Sequence, residues 1–100
     1  MAGPIYKLFM VRFNRSMYEL SEEERRDLMS RVGQALKQVG GKTVAMCASG
    51  WANEQWQYFG VEELPDIEAV QKQSELVSQT GWFGYIDESF TLLGTKLSPQ

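Results

Sequence analysis

Six side chains in this sequence have the types and the spacing that chemistry on a small molecule requires. They form three pairs, each with one residue between its members: Arg12 and Asn14, Trp56 and Tyr58, and Tyr85 and Asp87. If each pair lies on a β-strand, its two side chains share one face, because side chains alternate along a strand. A carboxylate in an apolar strand environment has a raised pKa and can act as a base. The pattern therefore predicts Asp87 as a catalytic base and Tyr85, or alternatively Tyr58, as a hydrogen-bond donor to a carbonyl or phenolate oxygen.

The other two pairs are predicted to bind the substrate. Trp56 can stack on an aromatic ring, and Tyr58 on the same strand face can add a polar contact. Arg12 and Asn14 belong to a strand that is expected to lie between the other two. If the strand registers agree, all three pairs converge on one volume.

Each of these side chains also has a purely structural interpretation. Trp56 and Tyr58 can pack in a core or an interface, which aromatic residues often dominate. Asp87 can pair with Arg12 across adjacent strands, and Arg12 can lie near a strand end with its guanidinium in water. Lone carboxylates without a partner of known geometry are weak indicators of catalysis. The residue types alone leave both interpretations open.

The composition excludes several classes of site. The chain has 100 residues, which fits one domain over residues 1–100 with an ordered core at about 4–94 and a polar tail from Gly94 to Gln100. It contains no histidine. Ser-His-Asp and Cys-His catalysis, histidine-ligated haem and nearly every zinc or non-haem iron site are thereby excluded. We therefore expect no metal and no cofactor.

Charge and cysteine content bear on partners and location. The net charge of −3 argues against a nucleic-acid or anionic-membrane partner, since both require clustered Lys and Arg. The single Cys47 fits a reducing compartment and is expected to be a small buried residue. Neither a secretory signal nor a membrane-spanning run is visible. These features predict a cytoplasmic protein.

The first half of the chain predicts a strand, a helix and a second strand. Residues 4–14 carry apolar side chains on both faces, which indicates a strand covered on both sides. Ser21 and Glu24 form a capping-box pattern at the start of a helix that Gly40 and Gly41 end. Residues 42–49 form the next strand.

The second half predicts a strand, a helix and a final strand. Within residues 50–66, a turn precedes a strand that passes through Trp56 and Tyr58 and ends at Leu64-Pro65. Asp66 begins a helix that runs to Gln79, on which Gln73 is expected to be exposed. Residues 82–93 form the last strand, and Trp51 and Trp82 are expected to cap the core.

The element order β-α-β-β-α-β predicts a split βαβ pair. It gives a four-stranded antiparallel sheet in the order 4-1-3-2 with both helices on one face. The other face is apolar and uncovered in a monomer, so it requires a partner. Two such sheets packed face to face would form a homodimer.

The sequence resembles the dimeric α/β-barrel superfamily of ferredoxin-like domains, and specifically a small uncharacterised member of it. The resemblance covers Ile5 to Leu93 and is carried by ELSEEERRDLM, FGVEELPDIEAV and GWFGYID. It implies a pocket between the helices and the sheet, or within the barrel of each protomer. The superfamily includes cofactor-free monooxygenases, polyketide cyclases and muconolactone-type isomerases, as well as haem enzymes that usually rely on a histidine. Asn14 with a tryptophan is similar to a pair in the cofactor-free oxygenases, although the spacing does not reproduce their motif.

Two functions follow from these observations. The first is a dimeric enzyme or enzyme-like pocket that binds or transforms a small hydrophobic or aromatic molecule without metal or haem, of the monooxygenase, cyclase or isomerase type. The second is a non-catalytic ligand-binding or assembly protein of the same fold, in which the aromatic residues only close the dimer. An RNA-recognition motif shares the element order, but the acidic balance of the chain opposes it.

Overall fold

The computed structural model describes residues 3–97 of the chain, which fold into one sheet with helices packed on it. The elements in chain order are β1 (Ile5–Phe13), α1 (Arg15–Glu19), α2 (Glu22–Gln38), β2 (Lys42–Ala48), β3 (Tyr58–Leu64), α3 (Ile67–Gln79), a 3-10 helix (Trp82–Tyr85) and β4 (Ile86–Thr95). The strands are antiparallel neighbours in the order β2-β3-β1-β4, which confirms the predicted ferredoxin-like topology. The polar tail was predicted to start at Gly94, but β4 continues to Thr95, and residues 98–100 of that tail lie outside the described residues.

The two long helices begin where the sequence predicts. The Ser21 hydroxyl accepts a hydrogen bond from the Glu24 backbone N–H at 3.1 Å, and the Glu24 carboxylate accepts one from the Ser21 N–H at 2.8 Å. The Asp66 carboxylate accepts a hydrogen bond from the Ala69 N–H at 2.8 Å and caps α3. These bonds satisfy donors that the first helical turn would otherwise leave free.

The sheet has one face that the helices cover. Alternate residues of β1, among them Phe9, Val11 and Phe13, pack with α2 and α3 into the core. Leu64 of β3 is fully buried in a second cluster at the other end of the helices. Because strand side chains alternate, the residues between them project from the opposite face of the sheet.

That opposite face, which we call the outer face, remains uncovered. Phe59, Phe90 and Leu92 project from it with 37%, 45% and 57% of their surface exposed. Tyr6, Leu8 and Val61 line the same face beside Leu92. The prediction that both faces of the sheet are apolar is therefore confirmed.

Strand β3 begins later than the sequence suggested. The carboxamide oxygen of Asn53 accepts hydrogen bonds from the backbone N–H groups of Gln55 at 2.7 Å and Trp56 at 3.0 Å. Such a local side-chain bond holds the backbone in a turn. Residues 50–57 therefore form a loop, and Trp56 lies in this loop and not on the strand.

The last strand also begins later than predicted, because residues 82–85 form a 3-10 helix after Gly81, which has φ 85° and tightens the turn. The short helix α1 was not predicted either. Between β1 and α2, the side chain of Asn14 caps the short helix α1, whose Met17 is buried in the core.

Two predictions of burial were wrong. Trp51 is 86% exposed, and its indole N–H donates a hydrogen bond to the Ala48 carbonyl at 2.9 Å. Gln73 is 2% exposed, because its side chain bonds to charged partners beneath the helices. Trp82 is 8% exposed and lies in the core, as predicted. Among residues 3–97, no helix has the length and apolar character needed to cross a membrane.

Candidate functional site

A cavity of about 150 Å³ lies between the helices and the covered face of the sheet. Its apolar wall is formed by Phe9, Val11, Val32, Leu36, Val77 and Trp82. Its polar groups include Lys7, Tyr58, Glu62 and Gln73. A mostly apolar concave surface with a few convergent polar groups is the usual form of a small-molecule site. We call this space the helix-side cavity.

The polar wall of the cavity is a hydrogen-bonded cluster of three side chains. The Lys7 ammonium donates to the carboxamide oxygen of Gln73 at 2.9 Å, and the Gln73 NH₂ group donates to Oε1 of Glu62 at 2.9 Å. Lys7 and Glu62 lie directly opposite each other on β1 and β3, with Nζ and Oε1 3.9 Å apart. The sheet register and α3 together fix the cluster.

Burial sets the electrostatics of this cluster. Glu62 is 8% exposed, and the Lys7 side chain is 16% exposed. Burial lowers the pKa of Lys7 below its ordinary value, and the nearby Glu62 carboxylate partly offsets this. Taking two charges out of water is costly, and an apolar pair of similar volume is often as stable or more so. Fold stability alone therefore does not account for an ion pair at this place.

Tyr58 presents a protonated hydroxyl to the same cavity. Burial raises the pKa of Tyr58 well above its ordinary value, and the charge of Glu62 raises it further. Among residues 3–97, the hydroxyl has one hydrogen-bond acceptor, the thioether sulfur of Met29 at 3.9 Å, which is a weak one. Its ring meets those of Phe9 and Phe13 at centroid distances of 6.4 and 5.3 Å. The Tyr58 hydroxyl is thus held by aromatic packing and is available as a donor.

Gly60 allows the cavity wall to pack closely. It lies on β3 between Tyr58 and Glu62, opposite Phe9 of β1. A Cβ atom at this position would come within 2.8 Å of both the Phe9 ring and the Met46 sulfur. The absence of a side chain at Gly60 therefore lets the Phe9 ring lie across the strand.

Arg12 and Asp87 meet away from the cavity. The Arg12 guanidinium donates to Oδ2 of Asp87 from Nη2 at 2.7 Å and from Nε at 3.1 Å. The side chains are 36% and 51% exposed. A bulge between Arg12 and Phe13 inserts Asp87 as an extra residue of β4, so that Glu88 pairs with Arg12 in register. Gln55 bonds to both Arg12 and Glu88 and completes an exposed polar cluster.

The structure does not bring all six predicted site residues together. Tyr58 lines the cavity, whereas Arg12 and Asp87 form the exposed ion pair. Asn14 and Tyr85 are joined through the backbone, since the Asn14 N–H donates to the Tyr85 carbonyl at 3.0 Å. The half-buried Trp56 belongs to the loop before β3. The alternation of side chains between two faces holds only within regular strands. The loop before β3 and the bulge at Asp87 interrupt this alternation.

Sequence reasoning missed Lys7, Glu62 and Gln73. The first two could have been identified from the sequence. Lys7 shares a strand face with Ile5 and Phe9, and Glu62 shares one with Gly60 and Leu64, and both faces point toward the core. A charged residue in such an alternation requires a partner. Gln73 also had a signal, because it lies three residues after Val70 and four before Val77, on the buried stripe of α3.

The residues present do not fit a histidine-ligated haem, the group used by part of the superfamily that the sequence resembles. The chain has no histidine. The helix-side cavity, at about 150 Å³, suits a benzene-sized molecule and not a porphyrin. Within residues 3–97, no group of three or more Cys, Asp or Glu side chains is placed to hold a metal ion.

Comparison with solved structures shows the fold. Chlorite dismutase from Candidatus Nitrospira defluvii superposes with a TM-score of 0.80 at 20% identity, over 99% of this chain and 42% of that one. A protein of unknown function from Rhodopseudomonas palustris gives 0.69 at 19% identity, over 99% and 86% of the two chains. A protein from Arabidopsis thaliana gives 0.64 at 10% identity, over 96% and 98%. These structures share the ferredoxin-like fold of this chain, as the sequence motifs indicated.

The chain spans only 41% to 44% of the chlorite dismutase chains it matches. No curated protein matches the sequence. One family model matches residues 8–100, and its description is a family of unknown function, DUF6616.

Proposed function

The chain belongs to the family of unknown function DUF6616, and from its structure we propose that it binds a small hydrophobic or aromatic molecule in the helix-side cavity. One observation supports this most directly. An apolar cavity of about 150 Å³ carries a buried Lys7–Gln73–Glu62 cluster on one wall. A cavity of that volume can hold a benzene-sized molecule, and the cluster offers it hydrogen bonds in a desolvated place.

The charges on the cavity wall favour a neutral ligand. Lys7 and Glu62 carry opposite charges 3.9 Å apart, so the wall has no net charge for an ionic ligand to balance. A hydroxyl or carbonyl group on the ligand can accept from Lys7, and a hydroxyl can also donate to Glu62. We propose phenols, enols and ketones as the ligand class, handled without metal or haem as in monooxygenases, cyclases or isomerases of this fold.

Gly33 provides a test that does not disturb the fold. It lies on α2 at the cavity wall, and a Cβ atom there meets nothing within 4 Å. We expect Gly33→Leu to fill the cavity and abolish binding of phenol and indole, measured by ligand-detected NMR. Replacing a helical glycine stabilises the helix by about 0.5–1 kcal/mol, so the variant should stay folded.

Gly33→Ala is the matched control for that experiment. It gains the same helix propensity but adds only one methyl group, so we expect binding to persist and the melting temperature to rise. Wild-type protein that binds neither phenol nor indole would contradict the proposed function. Equal binding by Gly33→Leu would place the ligand elsewhere on the molecule.

A second candidate function is assembly without catalysis, and the position of Asp87 favours it. Asp87 is half exposed and hydrogen-bonded by Arg12, so it does not lie in the apolar environment that the prediction of a catalytic base assumed. Asp87 and Tyr85 remain predicted catalytic residues that turnover can test. If Asp87→Asn and Tyr85→Phe leave ligand affinity and turnover unchanged, these two residues have no catalytic role.

We also propose that the outer face is covered by a second copy of the chain. Phe59, Phe90 and Leu92 form an exposed apolar surface on a sheet whose other face the helices already cover. Large exposed apolar surfaces of this kind are characteristic of interfaces. The homodimer is the arrangement that the fold superfamily implies.

A further inference from the structure

We propose that Glu62 and Lys7 form a proton-transfer site, in which Glu62 removes a proton from the carbon next to a ligand carbonyl and Lys7 stabilises the resulting oxygen anion. The substrate class is a neutral aromatic or cyclic ketone. The inference deepens the proposed function and rests on it, because the ketone must first bind in the helix-side cavity.

Glu62 has one oxygen that is free to act. Oε1 accepts a hydrogen bond from Gln73, whereas Oε2 has no donor within residues 3–97. No buried side-chain nitrogen or oxygen in that range lacks a partner, so Oε2 must be accessible to solvent or to a ligand. Glu62 is 8% exposed and lines the cavity, and from this we infer that Oε2 faces the cavity.

Lys7 has donors to spare on the same wall. An ammonium group carries three N–H bonds, and Lys7 uses one of them for Gln73 at 2.9 Å. Its distance of 3.9 Å from Glu62 is too long for a hydrogen bond. A ligand oxygen can therefore accept from Lys7 while the adjacent carbon lies near Glu62. In a partly desolvated site, such an ammonium stabilises a developing oxyanion more strongly than it would in water.

The step balances without an external reagent. The Glu62 carboxylate takes a proton from the α-carbon, the C–H electron pair forms a carbon–carbon double bond, and the carbonyl π pair moves onto oxygen as an enolate. Glu62, now neutral, returns its proton to the same carbon or to a conjugated one, and return to a conjugated carbon isomerises the substrate. When the Glu62 carboxyl first exchanges its proton for a deuteron of the solvent, return to the same carbon leaves deuterium there, and the abstracted proton passes to the solvent.

Gln73 is a positioning residue in this site. Its carboxamide bridges Lys7 and Glu62 from α3 and is itself 2% exposed. This bridge keeps the acid and the base apart, so that neither neutralises the other by direct hydrogen bonding. A cluster with only a structural role would not require the free Lys7 N–H bonds and the free Glu62 oxygen on the cavity side.

The test is hydrogen–deuterium exchange at the α-carbons of 2-indanone in D₂O, followed by proton NMR, with binding measured in parallel by saturation transfer. We expect the wild-type protein to accelerate exchange. Glu62→Gln keeps the shape of the side chain and an oxygen that can accept from Gln73, but it lacks the base. Exchange should therefore fall by about 10²-fold or more while binding persists. Glu63→Gln is the matched control, because Glu63 lies on the outer face, where the Tyr6 hydroxyl donates to it. It should exchange as the wild type does.

Further variants separate the possible failures. Glu62→Asp retains the charge if Glu62→Gln does not fold, and withdrawing the carboxylate by one methylene should still slow exchange by about 10²-fold. Wild-type protein that binds 2-indanone without accelerating exchange overturns this inference and leaves the proposed function standing. Full exchange activity in both Glu62 variants overturns it as well. Wild-type protein that binds neither 2-indanone nor phenol overturns the proposed function itself.

Discussion

At the scale of single residues, the molecule keeps a charged pair where apolar residues would serve. Lys7 and Glu62 lie opposite each other in the sheet, beneath the helices, and Gln73 of α3 links them. Removing one partner of a buried pair leaves an uncompensated charge, whereas replacing both removes the desolvation cost. The pair is therefore expected to lower stability relative to an apolar variant, which is typical of a site retained for function.

This cost can be measured with two variants. We expect Lys7→Met to lower the free energy of unfolding by about 3–5 kcal/mol, because Glu62 is left charged and buried. The triple variant Lys7→Met, Glu62→Met and Gln73→Leu should recover wild-type stability or exceed it, because it also removes the buried carboxamide that the two charged groups hold. Urea unfolding at neutral pH measures both. A triple variant as unstable as the single one would show that the cluster stabilises the fold.

Tyr58 predicts a dependence of stability on alkaline pH. Unfolded tyrosine loses its proton near pH 10.0, while folded Tyr58 has a raised pKa and keeps it. Above pH 10 the folded state therefore binds more protons, so its stability is complete below that pH and falls as pH rises. We expect Tyr58→Phe to reduce this alkaline loss in thermal melts. Tyr6, whose pKa a hydrogen bond to Glu63 raises, will keep a part of it.

A matched tyrosine variant checks the origin of that effect. Tyr18 is 58% exposed, so Tyr18→Phe should retain the alkaline behaviour of the wild type. At neutral pH, Tyr58→Phe should change stability by less than the roughly 1 kcal/mol of an ordinary hydrogen bond, since the hydroxyl donates to a weak sulfur acceptor. An unchanged alkaline slope in Tyr58→Phe would contradict the assignment.

At the scale of elements, helix α2 forms one wall of the cavity, and its first turn fixes where that wall begins. Met29, Val32 and Leu36 line the cavity from α2. The reciprocal bonds between Ser21 and Glu24 satisfy two groups at the helix start. Elsewhere, the bulge in β4 places both Asp87 and Glu88 beside Arg12 at the exposed end of the sheet. Local backbone features thus decide which polar residues meet the cavity and which meet solvent.

The capping box should make a measurable contribution to stability. We expect Ser21→Ala to lower the free energy of unfolding by about 1 kcal/mol, because the Glu24 N–H loses its acceptor. Ser30→Ala, at an exposed position inside the same helix, should have no such cost. Equal losses in the two variants, measured by urea unfolding, would mean that the cap is not what stabilises the helix start.

At the scale of the whole molecule, the sheet presents an apolar face that no element of residues 3–97 covers. Phe90 and Leu92 of the edge strand β4 project from this face beside Leu8 of the central strand β1. Covering it with a second copy would give each apolar face of the sheet a packed neighbour. Because β1 and β3 contribute to both faces, a dimer would also support the strands that carry Lys7 and Glu62.

Oligomeric state provides the test at this scale. We expect the wild-type protein to sediment as a dimer in analytical ultracentrifugation and Leu92→Lys to shift it toward a monomer, because a buried lysine at the interface would lack a partner. Ile67→Lys is the control, since Ile67 is exposed to a similar extent, 43% against 57%, but lies on α3. A wild-type monomer at all concentrations would contradict the proposed dimer.

The sequence by itself determined the order of the elements, both helix starts and the presence of apolar side chains on both faces of the sheet. These features depend on neighbours within a few positions, where capping groups, glycines and the strand period act directly. The Ser21 and Asp66 caps and the 4-1-3-2 sheet order are examples that the structure confirms.

Only the tertiary structure decided which polar residues share a site. Lys7 and Gln73 are 66 positions apart and meet because α3 lies over β1. The predicted pairs were separated by two local irregularities, the loop that removes Trp56 from β3 and the bulge that turns Asp87 to Arg12. One added residue exchanges the two faces of a strand. The resemblance had implied a pocket between the helices and the sheet or within the barrel of each protomer, whereas tertiary packing decided that Lys7, Glu62 and Gln73 share one wall of the helix-side cavity.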